Sequence, residues 1–552
     1  MPRTTSVPFA LFAPYNPAVQ LMGDFNDWQP AEMTRQDDGW WVTEVQLPDG
    51  EYHYKFHVQS LSPWAEGQWV DVGDPRATRV DSMGGETSVI RVVDGQVRQD
   101  DYVWQHDDKP LPPDEDLVIY ELHIGNFSGG EGEIGTYLGA IEKLDYLAGL
   151  GVNAVELMPV GEFPGDISWG YNPRFPFAPE SIYGSTADFK RLVDECHARG
   201  IRVLLDMVWN HTDGECPLAQ IDLKYWYYPE NPDPPEMQWG SKLDYTHWDE
   251  HLNLNPAREF ARECIFHWID TYHIDGIRFD ATYAINNFDV LRWFREQVKG
   301  HAGFKPFVLI AEHIPEDPTI TQPNGPMDAA WHDSFVHCFQ TLARDEAFHL
   351  DDLMNVIDPR RQGYAGAVNV VNYVASHDHE RPLRILGDDG IFGDKAFRRL
   401  ELIYGLLLTA PGIPMLWMGS EFGEYEEKTL EARKLHWELL GQGYNQDLFD
   451  YIASLIRLRR TCTALNTSAP NMEFILTDPE RQLLAFKRWE EDGCVAVVVA
   501  NLSDKYLGEV EVPMPADGVW HEWTHNYDCP SEGGVLRDQL GESEIKVYVN
   551  KW

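Results

Sequence analysis

The segment His273–Ala281, HIDGIRFDA, ends a short apolar run in Arg278 and Asp280, two positions apart. On a strand, successive side chains alternate between faces, so this spacing puts guanidinium and carboxylate on the same face. Three more runs end alike. Ile201–Leu205 leads into Asp206 and then Asn210 and His211; Phe307–Ala311 leads into Glu312; Val368–Ala375 leads into Ser376, His377 and Asp378. Two carboxylates facing one pocket can cleave a glycosidic bond when one is ionised and the other carries a proton, and a separation of about 5–5.5 Å gives retention of configuration. Arg278 favours the ionised form of its neighbour Asp280, which suits a nucleophile. Glu312, at the end of the apolar run FVLIAE, is expected to be raised by desolvation and to serve as general acid and then base. Asp378 could pin sugar hydroxyls and distort the ring. His211 and His377 could donate to hydroxyls, Tyr171 could stack under the reacting sugar, and Asp206 and Trp169 complete the candidate substrate contacts. Each residue also has a plainer reading, with Arg278 and Asp280 as a structural ion pair and the histidines as satisfied buried groups. Such strand ends in succession point to one shared pocket.

Those strand ends need a scaffold that brings them together. From Leu117 onward the chain repeats strand, loop and helix. Strand runs are expected at Leu117–His123, Val152–Met158, Ile201–Val208, the Asp280 segment, the Glu312 segment, Trp331–Phe339, Val368–Ala375 and Ile413–Met418. Helical apolar periods occur between them, as at Thr186–Gly200, Pro256–Tyr272, Asn287–Lys299 and Lys395–Thr409. Eight such units close most simply as a (β/α)8 TIM barrel, an α/β fold whose catalytic groups collect at the C-terminal ends of the strands. The barrel is expected over 117–465, with an inserted lid or subdomain at about 211–255. Before it, residues 1–100 alternate apolar and polar positions as in a β-sandwich, and the proline-containing stretch 101–116 reads as a linker. Trp28, Trp40, Trp41 and Tyr54 in this N-terminal part could fill its core or stack on sugars, with core the simpler reading. A second β-sandwich is expected over 466–552.

Composition narrows the partners. The chain of 552 residues carries a net charge of −46, which repels a phosphate backbone and argues against nucleic acid. The acidity reads as a solvated surface, as in a salt-rich cytoplasm, with cation binding the alternative. The seven cysteines include no CxxC pair; Cys196 and Cys264 fall on apolar helix faces and read as buried thiols in a reducing compartment. No signal segment or membrane-length apolar run is evident. The expectation is a cytoplasmic monomer or weak oligomer without a membrane partner.

Four short motifs, DMVWNH (206–211), GIRFD (276–280), IAEH (310–313) and ASHD (375–378), resemble the conserved regions of the α-amylase family, glycoside hydrolase family 13, in the family's order. The resemblance spans roughly 117–440. It implies Asp280 as nucleophile, Glu312 as acid/base and Asp378 as transition-state stabiliser, with Arg278, His211 and His377 around them. Tyr171 in SWGYNP (168–173) resembles the family's stacking tyrosine. GDFNDW (23–28) and GEYHYKF (50–56) resemble the family 48 carbohydrate-binding module that precedes branching enzymes, debranching enzymes and maltooligosyltrehalose trehalohydrolases. Ser376 stands where amylases usually carry Asn, which is closer to branching enzymes. Asn210 before His211, and LNLNP (252–256), are closer to hydrolytic members. IAEH lacks the Asn-Asp pair that trehalohydrolases tend to carry. The resemblance thus implies an α-glucan substrate and an amylase-type hydrolase, with branching enzyme, trehalohydrolase and inactive glucan-binding scaffold as alternatives. It requires no cofactor. Asn210 resembles the first calcium ligand of many amylases, although no EF-hand spacing accompanies it and Asp213 and Glu215 could equally line a sugar subsite.

Overall fold

The computed structural model describes residues 4–81, 84–130, 132–344 and 349–552. Eight parallel strands close into a barrel in chain order: β1 (Ile119–Leu122), β2 (Ala154–Leu157), β3 (Arg202–Met207), β4 (Gly276–Phe279), β5 (Val308–Ala311), β6 (Ala329–Trp331), β7 (Val370–Asn372) and β8 (Ile413–Trp417). β8 pairs back onto β1. Every residue of these strands is buried, because side chains on one face fill the barrel and those on the other meet helices. Ile119, Ala154, Leu204, Val308, Ile310, Trp331, Val371 and Met415 form part of the inner apolar layer. Outside, Phe189, Leu192 and Val193 of α1 (Thr186–Ala198), Phe260 and Trp268 of α3 (Pro256–Tyr272) and Phe294 of α4 (Phe288–Ala302) belong to a larger cluster; the short α2 (Pro217–Trp226) precedes α3.

The sixth strand corrects the expectation. Trp331–Phe339 was expected to be a strand, yet the strand ends at Trp331 and Asp333–Ala343 forms a helix, α5. Phe335, Val336, Phe339, Leu342 and Ala343 are buried at intervals of three and four, the helical period, so the chain beyond Trp331 packs as one face of a helix. The seventh strand is also shorter than Val368–Ala375, because Ala367–Asn369 makes a 3-10 turn before it. Helices α6 (Gly393–Thr409) and α7 (Gly443–Thr461) close the barrel region.

The N-terminal strands form two antiparallel sheets around Val7, Phe9, Leu21, Phe56, Val58 and Val72. Trp41 and Tyr54 are buried in this module, Trp40 packs partly buried on Phe12, and Trp28 is exposed. At the other end, Asn471 to Val549 form one eight-stranded antiparallel sheet whose first and last-ordered strands touch. It encloses Leu483, Val497, Val512, Trp520 and Leu536. No helix of the described residues is long and apolar enough to cross a membrane.

The segment expected as a linker is tied to the barrel. Asp194 on α1 is buried and accepts from Tyr102 Oη (2.6 Å), Gln105 N (2.9 Å) and His106 N (2.8 Å). Trp104 stacks on His273 at 3.9 Å, and Lys190 ion-pairs with Asp100 at 2.9 Å. The insert at 211–255 also bridges modules: Asn16 Nδ2 donates to Ile221 O at 3.0 Å and Ser60 Oγ to Gln220 O at 2.6 Å.

Replacing Asp194 by alanine strands three donors at once. Asp194→Ala is therefore expected to cost about 2–4 kcal/mol and to open residues 101–113 to proteases. Denaturant unfolding and limited proteolysis check this; an unchanged midpoint and cleavage pattern would refute the strap.

Candidate active site

The barrel register fixes the central contact. Asp206 on β3 lies opposite Arg278 on β4, and the guanidinium Nη1 reaches both Asp206 oxygens, at 3.0 and 2.8 Å. The ladder continues one step beyond the strands, with Asp280 N donating to Met207 O and Glu312 N to Phe279 O. This extension places Asp280 Oδ1 3.0 Å from Arg278 Nη1 and Glu312 Oε2 3.1 Å from Nη2. Ala281, in the left-handed region at φ 48°, turns its N–H onto the same Glu312 oxygen at 2.7 Å. Asp280 Oδ2 and Glu312 Oε1 lie outside these contacts. The guanidinium is fully buried and sits over the Trp331 ring at 4.2 Å.

Three carboxylates around one guanidinium exceed its single charge. Arg278 was expected to favour the ionised form of Asp280, but burial, reinforced by Glu312, outweighs it and pushes the Asp280 carboxyl well above its ordinary range. Burial also raises Asp206 against the pull of Arg278 and the Tyr171 hydroxyl, which donates to it at 2.6 Å. Burial thus favours a proton on Asp280 or Asp206 over full ionisation of the cluster.

His377 forms the second centre. Its Nδ1 lies 2.6 Å from Glu121 Oε1 and its Nε2 3.2 Å from Asp378 Oδ2. Burial disfavours its charge, but Glu121 and Asp378 overcome this and lift it to about 10. The imidazolium in turn holds Asp378 well below the carboxylate range despite burial. Tyr171 stacks on His377 at 4.9 Å, and Trp169 meets it edge-on at 5.8 Å while donating to Thr429 O. His211 is lowered by burial, and its Nε2 faces the Tyr171 carbonyl at 2.9 Å. The expected site residues are thus gathered at one end of the barrel. The ring nitrogens of His377 are engaged by carboxylates, and His211 Nε2 by a backbone carbonyl, where donation to sugar had been expected.

This arrangement, two carboxylates with one free oxygen each beside a third held by an imidazolium, suits acid/base and nucleophilic work on an acetal. Comparison with known proteins decides the family. The catalytic domain of alpha amylases matches residues 121–493, and carbohydrate-binding module 48, the isoamylase N-terminal domain, matches residues 1–77. The chain belongs to the α-amylase family.

Among curated relatives, the 1,4-alpha-glucan branching enzyme GlgB of Nocardia farcinica is 30% identical over 579 residues, covering 95% of this chain and 73% of that one. The malto-oligosyltrehalose trehalohydrolase of Saccharolobus solfataricus is 29% identical over 523 residues, covering 82% and 85%. Among solved structures, a pullulanase from Paenibacillus barengoltzii superposes with a TM-score of 0.80 at 22% identity, covering 100% of this chain and 94% of that one. A putative alpha amylase from Salmonella typhimurium gives 0.75 at 22%, covering 99% and 97%. These structural likenesses carry the α-amylase fold.

Sequence reasoning left several neighbours without a role. Glu121 on β1 and Glu156 on β2 are register partners, both buried. Neither Glu156 oxygen has a hydrogen-bond partner, and burial, with Glu121 and Asp206 adding, drives that carboxyl well above its ordinary value. Both stand inside apolar runs, IYEL and AVEL; an acid within such a run is itself a signal of a polar site, since isolated burial is costly. Lys428 donates to the Asp378 carbonyl, and Trp239 approaches His211 at 5.8 Å. Both come from irregular segments without a period to read.

Asn210 and the carboxylates that follow it in the sequence do not offer the six to eight free oxygens that a calcium ion takes. Asn210 Oδ1 is buried without a partner, but Asp213 and Glu215 are held by the Arg174 guanidinium at 2.7 and 3.1 Å.

The His377 shift has a sign. Its folded value of about 10 exceeds the unfolded value of about 6.5, so the native state binds the extra proton between these limits. That stability is full below about pH 6.5 and is lost as pH rises toward 10. Relative to His377→Gln, the wild type should lose unfolding free energy across this window in urea titrations; parallel profiles would refute the imidazolium.

Proposed function

We propose that the chain is a retaining α-glucan-active enzyme that cleaves α-1,4-glucosidic bonds through a covalent glycosyl–enzyme intermediate and passes the glycosyl group to water. The observation that carries this reading is the gathering of Asp280 and Glu312 on adjacent nitrogens of the one Arg278 guanidinium. Carboxylates so placed are near neighbours, as in retaining glycosidases at about 5–5.5 Å and unlike inverting ones at about 6.5–9.5 Å.

In this reading the free Asp280 Oδ2 attacks the anomeric carbon while Glu312, through its free Oε1, protonates the departing oxygen. The upward shift of Asp280 describes the free site, where burial and the nearby Glu312 favour a proton on Asp280. A leaving oxygen that accepts from Glu312 draws the proton there, and Asp280, still bonded to Arg278, becomes the ionised partner. Glu312, now a carboxylate, then takes a proton from a water whose oxygen attacks the anomeric carbon. The bond from that carbon to Asp280 Oδ2 breaks, the sugar leaves with the new hydroxyl, and Glu312 is again the acid. Asp378, kept ionised by His377, faces the positive charge that develops on the ring. Tyr171, Trp169, Asp206 and His211 shape the subsite.

A second reading has the same chemistry with a glucan 6-hydroxyl as acceptor. Its support is the 30% identity to a branching enzyme across 95% of the chain. Incubation with amylose, following reducing ends and α-1,6 linkages together, separates them. Reducing ends without branches fit hydrolysis, and branches with little net gain of reducing ends fit transfer. Trehalose release from a capped oligosaccharide, without action on amylose, would replace both.

Asp280→Asn should lower turnover by more than about a thousandfold while glucan binding persists; retained activity would sink the assignment. Because the carboxylates beside Asn210 are occupied by Arg174, EGTA treatment should leave turnover within about twofold, and a collapse restored by calcium would overturn that part.

A further inference from the structure

One convergence of side chains is unused by the chemistry above. Asp333 and His337 stand one turn apart at the start of α5, and His379 follows the turn that carries Asp378. Ligand atoms of all three lie within 4.8 Å of one another. Asp333 Oδ2 is 3.3 Å from His337 Nε2, and Asp333 Oδ1 is 3.6 Å from His379 Nε2. Bonds of about 2.0–2.2 Å at a tetrahedral zinc put neighbouring ligand atoms about 3.3–3.6 Å apart. Two of the three residue pairs therefore already approach at about that length, each through a different oxygen of Asp333. The third closes by rotation of His337, whose side chain is 62% exposed.

His379 is the oriented member. Its Nδ1 faces Ser376 Oγ at 3.2 Å, and Ser376 and His379 exchange backbone hydrogen bonds. A hydrogen bond on the non-ligating nitrogen is how metal-binding histidines are held in tautomer and direction. Here it leaves Nε2 aimed at Asp333. Asp333 sits in the first turn of α5, where the next backbone N–H, Ser334 N, donates to Glu316 Oε1 at 3.0 Å, and its carboxylate faces the two imidazoles. Two imidazoles and one carboxylate match a borderline-soft divalent ion and leave a fourth position for water.

We propose that Asp333, His337 and His379 bind a divalent transition metal of the zinc class, and that the ion fastens the Ser376–His379 turn to α5. The backbone that presents Asp378 would thereby be linked to a surface helix. The site is separate from the Asn210 region, and neither Asp333 nor His337 touches the Arg278 cluster.

The test uses the untagged full chain, stripped of metal and titrated with Co2+. Ligand-field bands of a tetrahedral ion should saturate at one equivalent and be displaced by Zn2+. His337→Ala removes an exposed ligand and should fold normally; it should weaken Co2+ binding by about tenfold or more, as should the near-isosteric Asp333→Asn. Added Zn2+ should raise the wild-type unfolding temperature and leave that of His337→Ala unchanged. Absence of the bands at one equivalent, a thiolate charge-transfer band showing cysteine ligation, or equal affinity in wild type and both variants would overturn the proposal.

Discussion

The buried guanidinium of Arg278 is the constraint from which the site follows. A charge removed from water costs several kcal/mol unless it is paired and hydrogen-bonded, and this one is paired by Asp206, Asp280 and Glu312 and covered by Trp331. Those partners arrive from β3, from the ends of β4 and β5, and from β6. The ion cluster is therefore a statement about barrel register. A slip of one residue in β4 would turn Arg278 toward the helices and leave the carboxylates repelling one another. The same cation that satisfies the fold also holds both carboxylates by one oxygen each, which orients the other oxygens.

A second balance supports the first. His377 is charged because Glu121 lies beneath it and Asp378 beside it, and Glu156 next to Glu121 is driven toward its neutral form. The floor of the site thus contains acids in two conditions. Asp378 beside the imidazolium is held low, whereas burial pushes up Asp280 and Asp206 despite Arg278, and Glu156, without a hydrogen-bond partner, is pushed up as well. Environment separates chemically similar groups, as it must where one carboxyl is to attack and another to donate.

Much of this was legible in the sequence. The strand ends announced themselves because a parallel barrel strand is nearly all apolar, so a terminal Asp, Glu or Arg stands out, and period two set Arg278 and Asp280 on one face. What failed was local. β6 is three residues long and runs within two residues into α5, so Phe335 and Phe339 could be read with either period until their burial was known. The strap at Tyr102–His106 has no periodicity at all; its order comes from Asp194, nearly ninety residues away in the chain. Glu156 could be flagged as an acid inside the apolar run AVEL, but nothing in that run says that the carboxyl has no hydrogen-bond partner.

The same separation explains why family membership was clearer than reaction. In the proposed reading cleavage rests on Arg278, Asp280, Glu312 and Asp378, which the barrel holds at the ends of its strands. Acceptor choice depends on what borders them, and those groups come from irregular segments: Trp239 near His211, Lys428 on the Asp378 carbonyl, Thr429 on Trp169. Loops of this kind can be exchanged without disturbing the barrel register, because few strand hydrogen bonds pass through them. A single catalytic core can therefore accompany the branching and trehalose-releasing activities named for its relatives. The insert at 211–255 adds a constraint of its own, since it is bonded to Asn16 and Ser60 of the N-terminal module. A change in that module's seat would move the segment that brings Trp239 against His211 while leaving the carboxylates where Arg278 holds them.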